Sequence, residues 1–501
     1  MARGDRLAGE NTPYQPTWES VSTHPVPRWF EDAKFGIFIH WGLFSVPAWA
    51  LPQDPRTFSL TKFLSDPAQF TDPAHHAYGI MPYAEWYFNT MQIPGSPTWE
   101  RHRTIYPSPL GPIAAYLDNF VPAFNAAARQ WRPDEWASLF QEVGACYVVL
   151  VTRHHDGFSL WPSAVPNPNR RADQQHAERD VVGELTDAVR ARGIRMGLYY
   201  SGGIDWSFPS QFGFPIVPIK NIIDFLAPTP ESLEYTLYAN AQWHELIQRY
   251  RPSVLWNDIA NPLLLSAPAL FADYYNTLPD GVVNDRWGIF PGLPVPHADF
   301  TTPENEASPE TINPKKWEAT RAIGTSFAYN QNEGPELMLT SPELVHLLVD
   351  TVSKNGNLLL GVGPAADGSI PSVQLEPLRG LGQWLMVNGE AIFKTRPWVR
   401  FGCPADRCGV EVRYTSKGDT LYATLLSRPQ GDVITLPDVR AVRGTRITLL
   451  GRPGNLEWQQ VGDALAITLP PGLPVSAAYV LKLDPGSTDS PGSSAPRCEG
   501  E

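Results

Sequence analysis

The chain has 501 residues, 43% of them hydrophobic and 18% charged, with a net charge of -13. It is long enough to bury a large core, and its length points to a main domain plus a smaller one. The acidic total, with no long Lys/Arg stripe, speaks against binding a phosphate backbone, so nucleic acid is not an expected partner.

Nowhere do about 18 consecutive apolar residues occur, as a membrane helix needs, and the opening MARGDRLAGENTPYQPTWES has no apolar segment of secretory type. The expectation is a cytoplasmic protein with no membrane partner. Cys146, Cys403, Cys408 and Cys498 form neither a disulfide framework nor a paired CxxC metal site. Cys146, in an apolar run, is expected in the core, and Cys403 and Cys408 as free thiols in one loop.

From Gly36 to about Pro364, short β-branched and aromatic runs alternate with stretches of helical periodicity, as in repeated βα units around a parallel sheet. The expected strands are GIFIHWG (36–42), CYVVLVTRHHDGF (146–158), RMGLYYSGG (195–203) and SVLWND (253–258), then VVNDRWG (282–288), HADFTTPE (297–304), TSFAYN (325–330) and NLLLGVGP (357–364). Eight is the number a TIM-type barrel requires. Helices are expected in PDEWASLFQEVG and in DVVGELTDAVRARG, the latter with Asp180 as its cap and Gly193 at its end. Another starts at Ser341 with Pro342 in its first turn, followed by Leu344, Leu347, Leu348 and Val352 at helical spacing. Thr90 to Ala128 is weakly periodic and is expected to form loops and short helices near the barrel mouth.

Beyond about Pro397 the runs shorten and alternate (VEVRYTS, LYATLLS, VITLP, TRITLLG, ALAITLP, AYVLKL), as in a small antiparallel β-sandwich. The expected α/β architecture is a (β/α)8-like TIM-type barrel over residues 1–396, the sandwich over 397–485 and a disordered tail over 486–501.

Polar and aromatic residues gather where the barrel strands end: His40 and Trp41, His154 and His155, Tyr199 and Tyr200, Trp256 and Asp258, Arg286 and Trp287, and Glu304. Active sites of such barrels lie at the C-terminal ends of the strands, so these side chains should share a pocket. Aromatic faces suit the CH faces of a sugar, and His, Arg and carboxylates suit its hydroxyls. Two carboxylates with no phosphate loop or cofactor motif suit glycosidic bond cleavage, which makes Asp258 and Glu304 the candidate pair.

The motifs KFGIFIHWG, EWY at Glu85 to Tyr87, RHHDGF, YYSGGIDW, VLWND, VNDRWG, and VSKNGNLLL followed by GVGP resemble those of the retaining α-L-fucosidases, a glycoside hydrolase family, over roughly residues 25 to 400. The sandwich is similar to that family's second domain. The resemblance implies an exo-acting enzyme that releases terminal α-L-fucose by double displacement, with Asp258 as nucleophile and Glu304 as general acid/base. It also implies sugar contacts from His40, Glu85, Trp86, His154, His155, Tyr199, Trp256 and Arg286, with Phe38 and Phe327 joining Tyr199 and Trp256 around the fucose methyl group. One departure is Gly361, in LLLG, where the family usually has Asn.

No cofactor or metal is expected. His154 and His155 are adjacent strand residues that should point to opposite faces, and no spaced His/Asp set accompanies them. Arg286 is expected nearer Asp258, with more apolar surroundings for Glu304. Glu306 and Glu310 stand as alternatives for the acid/base. Trp41, Trp161 and Trp206 are expected to pack rather than bind sugar, and Asp156 to orient a neighbour or cap a turn; whether Asp285 buttresses Arg286, and whether Asn257 touches the sugar, is left open. The segments Thr90–Ala128 and Pro209–Pro230 are expected to shape the leaving-group side. Competing readings are a glycosidase for a related sugar such as an L-galactoside, and a silent sugar-binding protein. The expected partner is a saccharide carrying terminal α-L-fucose, with homo-oligomerisation left open.

Overall fold

The computed structural model describes residues 13–65, 78–208, 230, 232–289 and 293–486. The runs FGIFI and YVVLVTR lack the alternation of a half-exposed strand, and both are buried throughout, as parallel strands covered by helices require. With them, seven strands make one parallel sheet: β1 (Phe35–Ile39), β2 (Tyr147–Arg153), β3 (Arg195–Ser201), β4 (Val254–Asp258), β5 (Val282–Val283), β6 (Trp317–Ala322) and β7 (Gly356–Val362). Their spatial order is β5-β4-β3-β2-β1-β7-β6.

The gap between β5 and β6 is filled by residues 299–304. Asp299 N–H donates to the Val283 carbonyl (3.0 Å), and the Asp299 carboxylate accepts the Val283 N–H (2.7 Å). On the other side, Glu318 N–H donates to Thr301 O (2.8 Å) and Thr320 N–H to Pro303 O (3.1 Å). HADFTTPE therefore takes the eighth position without being a regular strand, because Pro303 has no N–H to give and the Asp299 side chain stands in for a backbone acceptor.

Two further strand expectations are corrected. TSFAYN is a turn whose first two N–H groups bond to the Glu333 carboxylate (3.0 Å each) instead of to a neighbouring strand. WEATRA, too polar to read as a strand, is β6. Its Glu318 is fully buried, accepting from Tyr147 Oη (2.5 Å) and Trp256 Nε1 (3.0 Å), which is what makes a carboxylate tolerable there.

Helices Pro133–Glu142, Val181–Arg190 and Ser341–Ser353 lie where periodicity places them. The Asp180 carboxylate accepts from Gly183 N–H, and Thr340 with Glu343 forms a capping box. Thr90–Ala128 is more ordered than expected, with helices Pro97–Ile105 and Pro112–Ala128, the second running 17 residues across Pro122.

The C-terminal part comprises β8 (Arg396–Cys403), β9 (Val412–Lys417), β10 (Thr420–Leu425), β11 (Val433–Leu436), β12 (Arg446–Leu449), β13 (Trp458–Val461), β14 (Ala464–Thr468) and β15 (Tyr479–Asp484). They form a five-stranded sheet, β12-β15-β10-β9-β8, and a three-stranded one, β11-β14-β13, around a separate apolar core. This is the antiparallel sandwich that follows the barrel. Cys403 and Cys408 are joined in a disulfide, contrary to the expectation of free thiols, since the turn between them brings both side chains to the edge of that core. Cys146 is free and half-buried. The segment 209–229 and the tail from 487 onward lie outside the described residues. No described helix is long and apolar enough to cross a membrane.

One residue shows how tightly the barrel interior is filled. Gly36, on β1, lies under the ring of Tyr147, so that a Cβ there would come within 2.5 Å of the ring. Gly36→Ala is expected to destabilise the protein by about 1–3 kcal/mol, the usual cost of overpacking. Denaturant unfolding of the variant checks this, and a variant as stable as its parent contradicts it.

Candidate active site

Strands β1 to β5 each end by delivering a polar or aromatic side chain to the same face. Phe38 lies in β1 and His40 just after it, and His154 and His155 follow β2. Tyr199 lies in β3, Trp256 and Asp258 in β4, and Arg286 follows β5. Glu304 comes from the irregular eighth segment, Phe327 from the 325–328 turn, and Glu85 and Trp86 from a short 3-10 helix, Ala84–Trp86. All twelve expected residues line one cavity of about 980 Å³.

His154 and His155 do not point apart. β2 stops at Arg153, so both lie in the following turn, their ring centroids 3.9 Å from each other. Burial pushes His40, His154 and His155 well below the usual imidazole range, which keeps them neutral. His155 Nδ1 lies 2.6 Å from Ser201 Oγ, whose own proton goes to Ile204 O. The hydroxyl therefore accepts from Nδ1–H, and Nε2, 3.9 Å from an Asp258 oxygen, is left as an acceptor. Nδ1 of both His40 and His154 is buried without a protein partner.

The charged centre is a guanidinium between two carboxylates. Arg286 Nη1 donates to Asp258 Oδ1 and to Glu304 Oε2, each at 2.8 Å. These two oxygens are therefore no further apart than twice that length. Arg286 is fixed in turn by Nε to Thr302 Oγ1 (2.9 Å), Nη2 to Thr302 O (3.1 Å) and stacking on Trp256 at 4.6 Å. Asp285 holds Thr302 through its N–H and hydroxyl, so it buttresses Arg286 at one remove.

Asp258 also accepts from Tyr199 Oη (2.7 Å) and Ile259 N–H (2.8 Å). Burial opposes its ionisation, but the Arg286 charge and the Tyr199 and Arg286 hydrogen bonds hold it below the usual carboxylate range. Glu304 does not have the apolar surroundings expected of it, because it shares Arg286 and its Oε1 accepts from Tyr83 Oη (3.0 Å). Glu306 lines the cavity too, but its carboxylate accepts from Ser59 Oγ and Thr61 N–H and not from Arg286; Glu310 does not line the cavity.

Phe38, Tyr199, Trp256 and Phe327 form an aromatic box: Phe38 lies 5.1 Å from Trp256 and 6.0 Å from Phe327, and Tyr199 lies 5.5 Å from Trp256 between ring centroids. Gly361 opens room for this box. A Cβ there would approach Phe327 Cδ1 to 2.8 Å, so the ring occupies space that an Asn side chain would need.

Trp41 packs among Phe124, Trp131 and Trp136, Trp161 is bonded to Glu245, and Trp206 backs Trp86; none of the three lines the cavity. Asp156 caps its turn through Phe158 N–H and accepts from Tyr116 Oη. Asn257 is spent on the carbonyls of Ala260 and Arg286 and is not part of the cavity wall.

Among the described residues, one group has metal-ligand composition and proximity: His24, His297 and Asp299. Its atoms are engaged with one another and with Tyr275 Oη, Pro279 O and Val283 N–H, clasping the N-terminal segment onto the eighth barrel position.

Sequence reasoning passed over three residues: Tyr83, Glu318 and Glu333. Tyr83 stands two residues before Glu85 in PYAEWY, which is its only sequence signal. Glu333 accepts the Thr325 and Ser326 N–H groups and so shapes the turn carrying Phe327. Burial pushes it up to about 8, against about 4.3 for a free Glu. Between those values the folded chain holds a proton that the unfolded chain has lost. This group's contribution to stability is thus complete below the unfolded value and lost as pH rises through about 8. Glu333→Gln keeps the acceptor and cannot ionise, so its melting temperature relative to the parent is expected to rise by several degrees from about pH 5 to about pH 9. Thermal melts at fixed ionic strength check this, and a difference independent of pH contradicts it.

With this geometry in place, comparison with known proteins is specific. A family model described as alpha-L-fucosidase matches residues 4–390, and one for the alpha-L-fucosidase C-terminal domain matches 405–484. The chain is 35% identical to the rat tissue alpha-L-fucosidase, covering 94% of this chain and 92% of that protein, and 34% identical to the human tissue enzyme, covering 94% and 91%. Among solved structures it is similar to the Thermotoga maritima alpha-fucosidase in complex with fucose, with a TM-score of 0.77 and 41% identity, covering 94% of this chain and all of that one. The chain belongs to the α-L-fucosidase family and is a glycoside hydrolase.

Proposed function

We propose that the enzyme is a retaining exo-α-L-fucosidase that works by double displacement, with Asp258 as nucleophile and Glu304 as acid/base. The observation that carries this reading is the single Arg286 nitrogen bonded to both carboxylates at 2.8 Å. It fits the separation of about 5–5.5 Å found in retaining enzymes and not the about 6.5–9.5 Å that leaves room for water in inverting ones.

In the first step an Asp258 oxygen bonds to the anomeric carbon as the glycosidic C–O bond breaks, and Glu304 passes its proton to the departing oxygen. In the second, water attacks the same carbon, the ester bond breaks, and one water proton goes to the Glu304 carboxylate. Arg286 and Tyr199 keep Asp258 ionised for attack. The neutral His40, His154 and His155 and the carboxyl of Glu85 offer hydrogen-bonding groups for sugar hydroxyls. The Phe38–Tyr199–Trp256–Phe327 box suits a methyl group. A Thermotoga maritima alpha-fucosidase, 40% identical, is described in complex with a mechanism-based inhibitor, which agrees with a nucleophile of this kind.

Asp258→Gly is expected to lower kcat on an aryl α-L-fucoside by about 10³-fold or more while fucose still binds. Activity near that of the parent would place the nucleophile elsewhere. On the aryl α-L-galactoside, whose hydroxymethyl group does not fit the aromatic box, kcat/KM is expected to be at least about tenfold lower than on the fucoside. Equal rates would remove the methyl-pocket assignment.

A further inference from the structure

Glu304 has two oxygens, and only one of them faces Asp258 across the shared Arg286 nitrogen. That oxygen is Oε2, bonded to Arg286 Nη1; the other, Oε1, lies 3.0 Å from Tyr83 Oη. Tyr83 is not free to reverse its bond. Its oxygen already accepts from Asn305 Nδ2–H at 2.8 Å, so its single proton is directed at Oε1. Tyr83 is buried, 4% exposed, with ring neighbours Phe58 and Phe327 that provide no competing acceptor. Burial, and then the nearby Glu304 charge, push its phenol well above the usual range, so it stays a donor throughout.

We propose that Tyr83, oriented by Asn305, is a positioning residue that occupies Glu304 Oε1 and so assigns the transferable proton to Oε2, the oxygen facing the scissile bond. This rests on Glu304 being the acid/base. Of the two bonds holding Glu304, the one to Arg286 yields when Oε2 takes a proton, because that guanidinium keeps Asp258, Thr302 and Trp256 as partners. The Tyr83 bond persists in both protonation states. Besides Arg286 and Asp258, the charged group acting on this corner is Glu85, which the Glu304 charge pushes upward in addition to burial.

The backbone supports the assignment. Asn305 sits at φ +49°, a conformation common for Asn and rare for bulkier residues, and its N–H is anchored to Thr320 O (3.0 Å). The residue after the acid/base is thereby bent back so that its amide reaches Tyr83.

The test compares two substrates: methyl α-L-fucoside, whose leaving oxygen needs a proton, and α-L-fucosyl fluoride, whose leaving group hardly does. Tyr83→Phe is expected to lower kcat/KM on the methyl fucoside by about 10- to 100-fold, within the range that proton transfer contributes. On the fluoride it changes by less than about threefold. Removing a donor from a carboxylate favours its protonated form, so the alkaline limb of the methyl fucoside profile is expected to move to higher pH.

Asn305→Gly, which accepts the same φ, should shift both readouts in the same direction by less, and melting temperatures report whether either variant is misfolded. An equal loss on both substrates, or no loss on the methyl fucoside, overturns the proposal. Glu304→Gln separates it from the reading beneath it. If that variant cleaves the methyl fucoside as the parent does, the acid/base assignment itself fails. If it does not, while Tyr83→Phe is unchanged, only the role of Tyr83 falls.

Discussion

The site is organised around one nitrogen, Nη1 of Arg286, which holds Asp258 and Glu304 at 2.8 Å each. Two carboxylates in a partly dry pocket repel each other strongly, and a guanidinium between them is what lets both be present at this spacing. The guanidinium needs its own restraints, since a wandering Arg would let the pair separate. Thr302 takes two of its donors and the face of Trp256 supports its plane. Trp256 is in turn fixed by Glu318 from inside the barrel. A chain of buried bonds thus runs from the barrel interior to the space between the two carboxylates.

The irregular eighth barrel position belongs to this arrangement. Thr302 and Glu304, two residues apart, would share a face in a regular strand as well, and both bond to Arg286. The irregularity lies in the tie to β5, where the Asp299 side chain accepts the Val283 N–H in place of a backbone carbonyl. Pro303, between Thr302 and Glu304, withholds an N–H that a regular ladder would need. The departure from the eight-strand pattern thus coincides with Glu304, the proposed acid/base, in line with functional sites being where local regularity is given up.

The repeated polar clusters after apolar runs were enough to place His40, His154, His155, Tyr199, Trp256, Asp258 and Arg286 around one cavity, because a parallel barrel gathers strand ends on one face. Trp41, Tyr200 and Trp287 from the same clusters do not line it, and Phe38 was implied only by the family resemblance. Less legible was anything that depended on a partner far away in the chain. WEATRA looks unlike a strand until Tyr147 and Trp256 are seen to satisfy Glu318. TSFAYN has strand composition, yet Glu333 takes the N–H groups that a neighbouring strand would. The adjacency of His154 and His155 depended on β2 ending one residue before them, and element ends are set by tertiary bonds that periodicity does not carry. Arg286 is expected from sequence to serve one carboxylate, but the eighth segment brings Glu304 to the same nitrogen that holds Asp258.

The central claim is that these two carboxylates act at one anomeric carbon, Asp258 by forming and then losing a covalent bond to it and Glu304 by giving and then taking the proton. The configuration of the first-formed fucose, followed by proton NMR before mutarotation during hydrolysis of an aryl α-L-fucoside, tests it most directly. Two displacements at one carbon restore the starting configuration, so the α-anomer should appear first and the β-anomer only afterwards. A β-anomer formed first would mean a single displacement by water and would contradict the account.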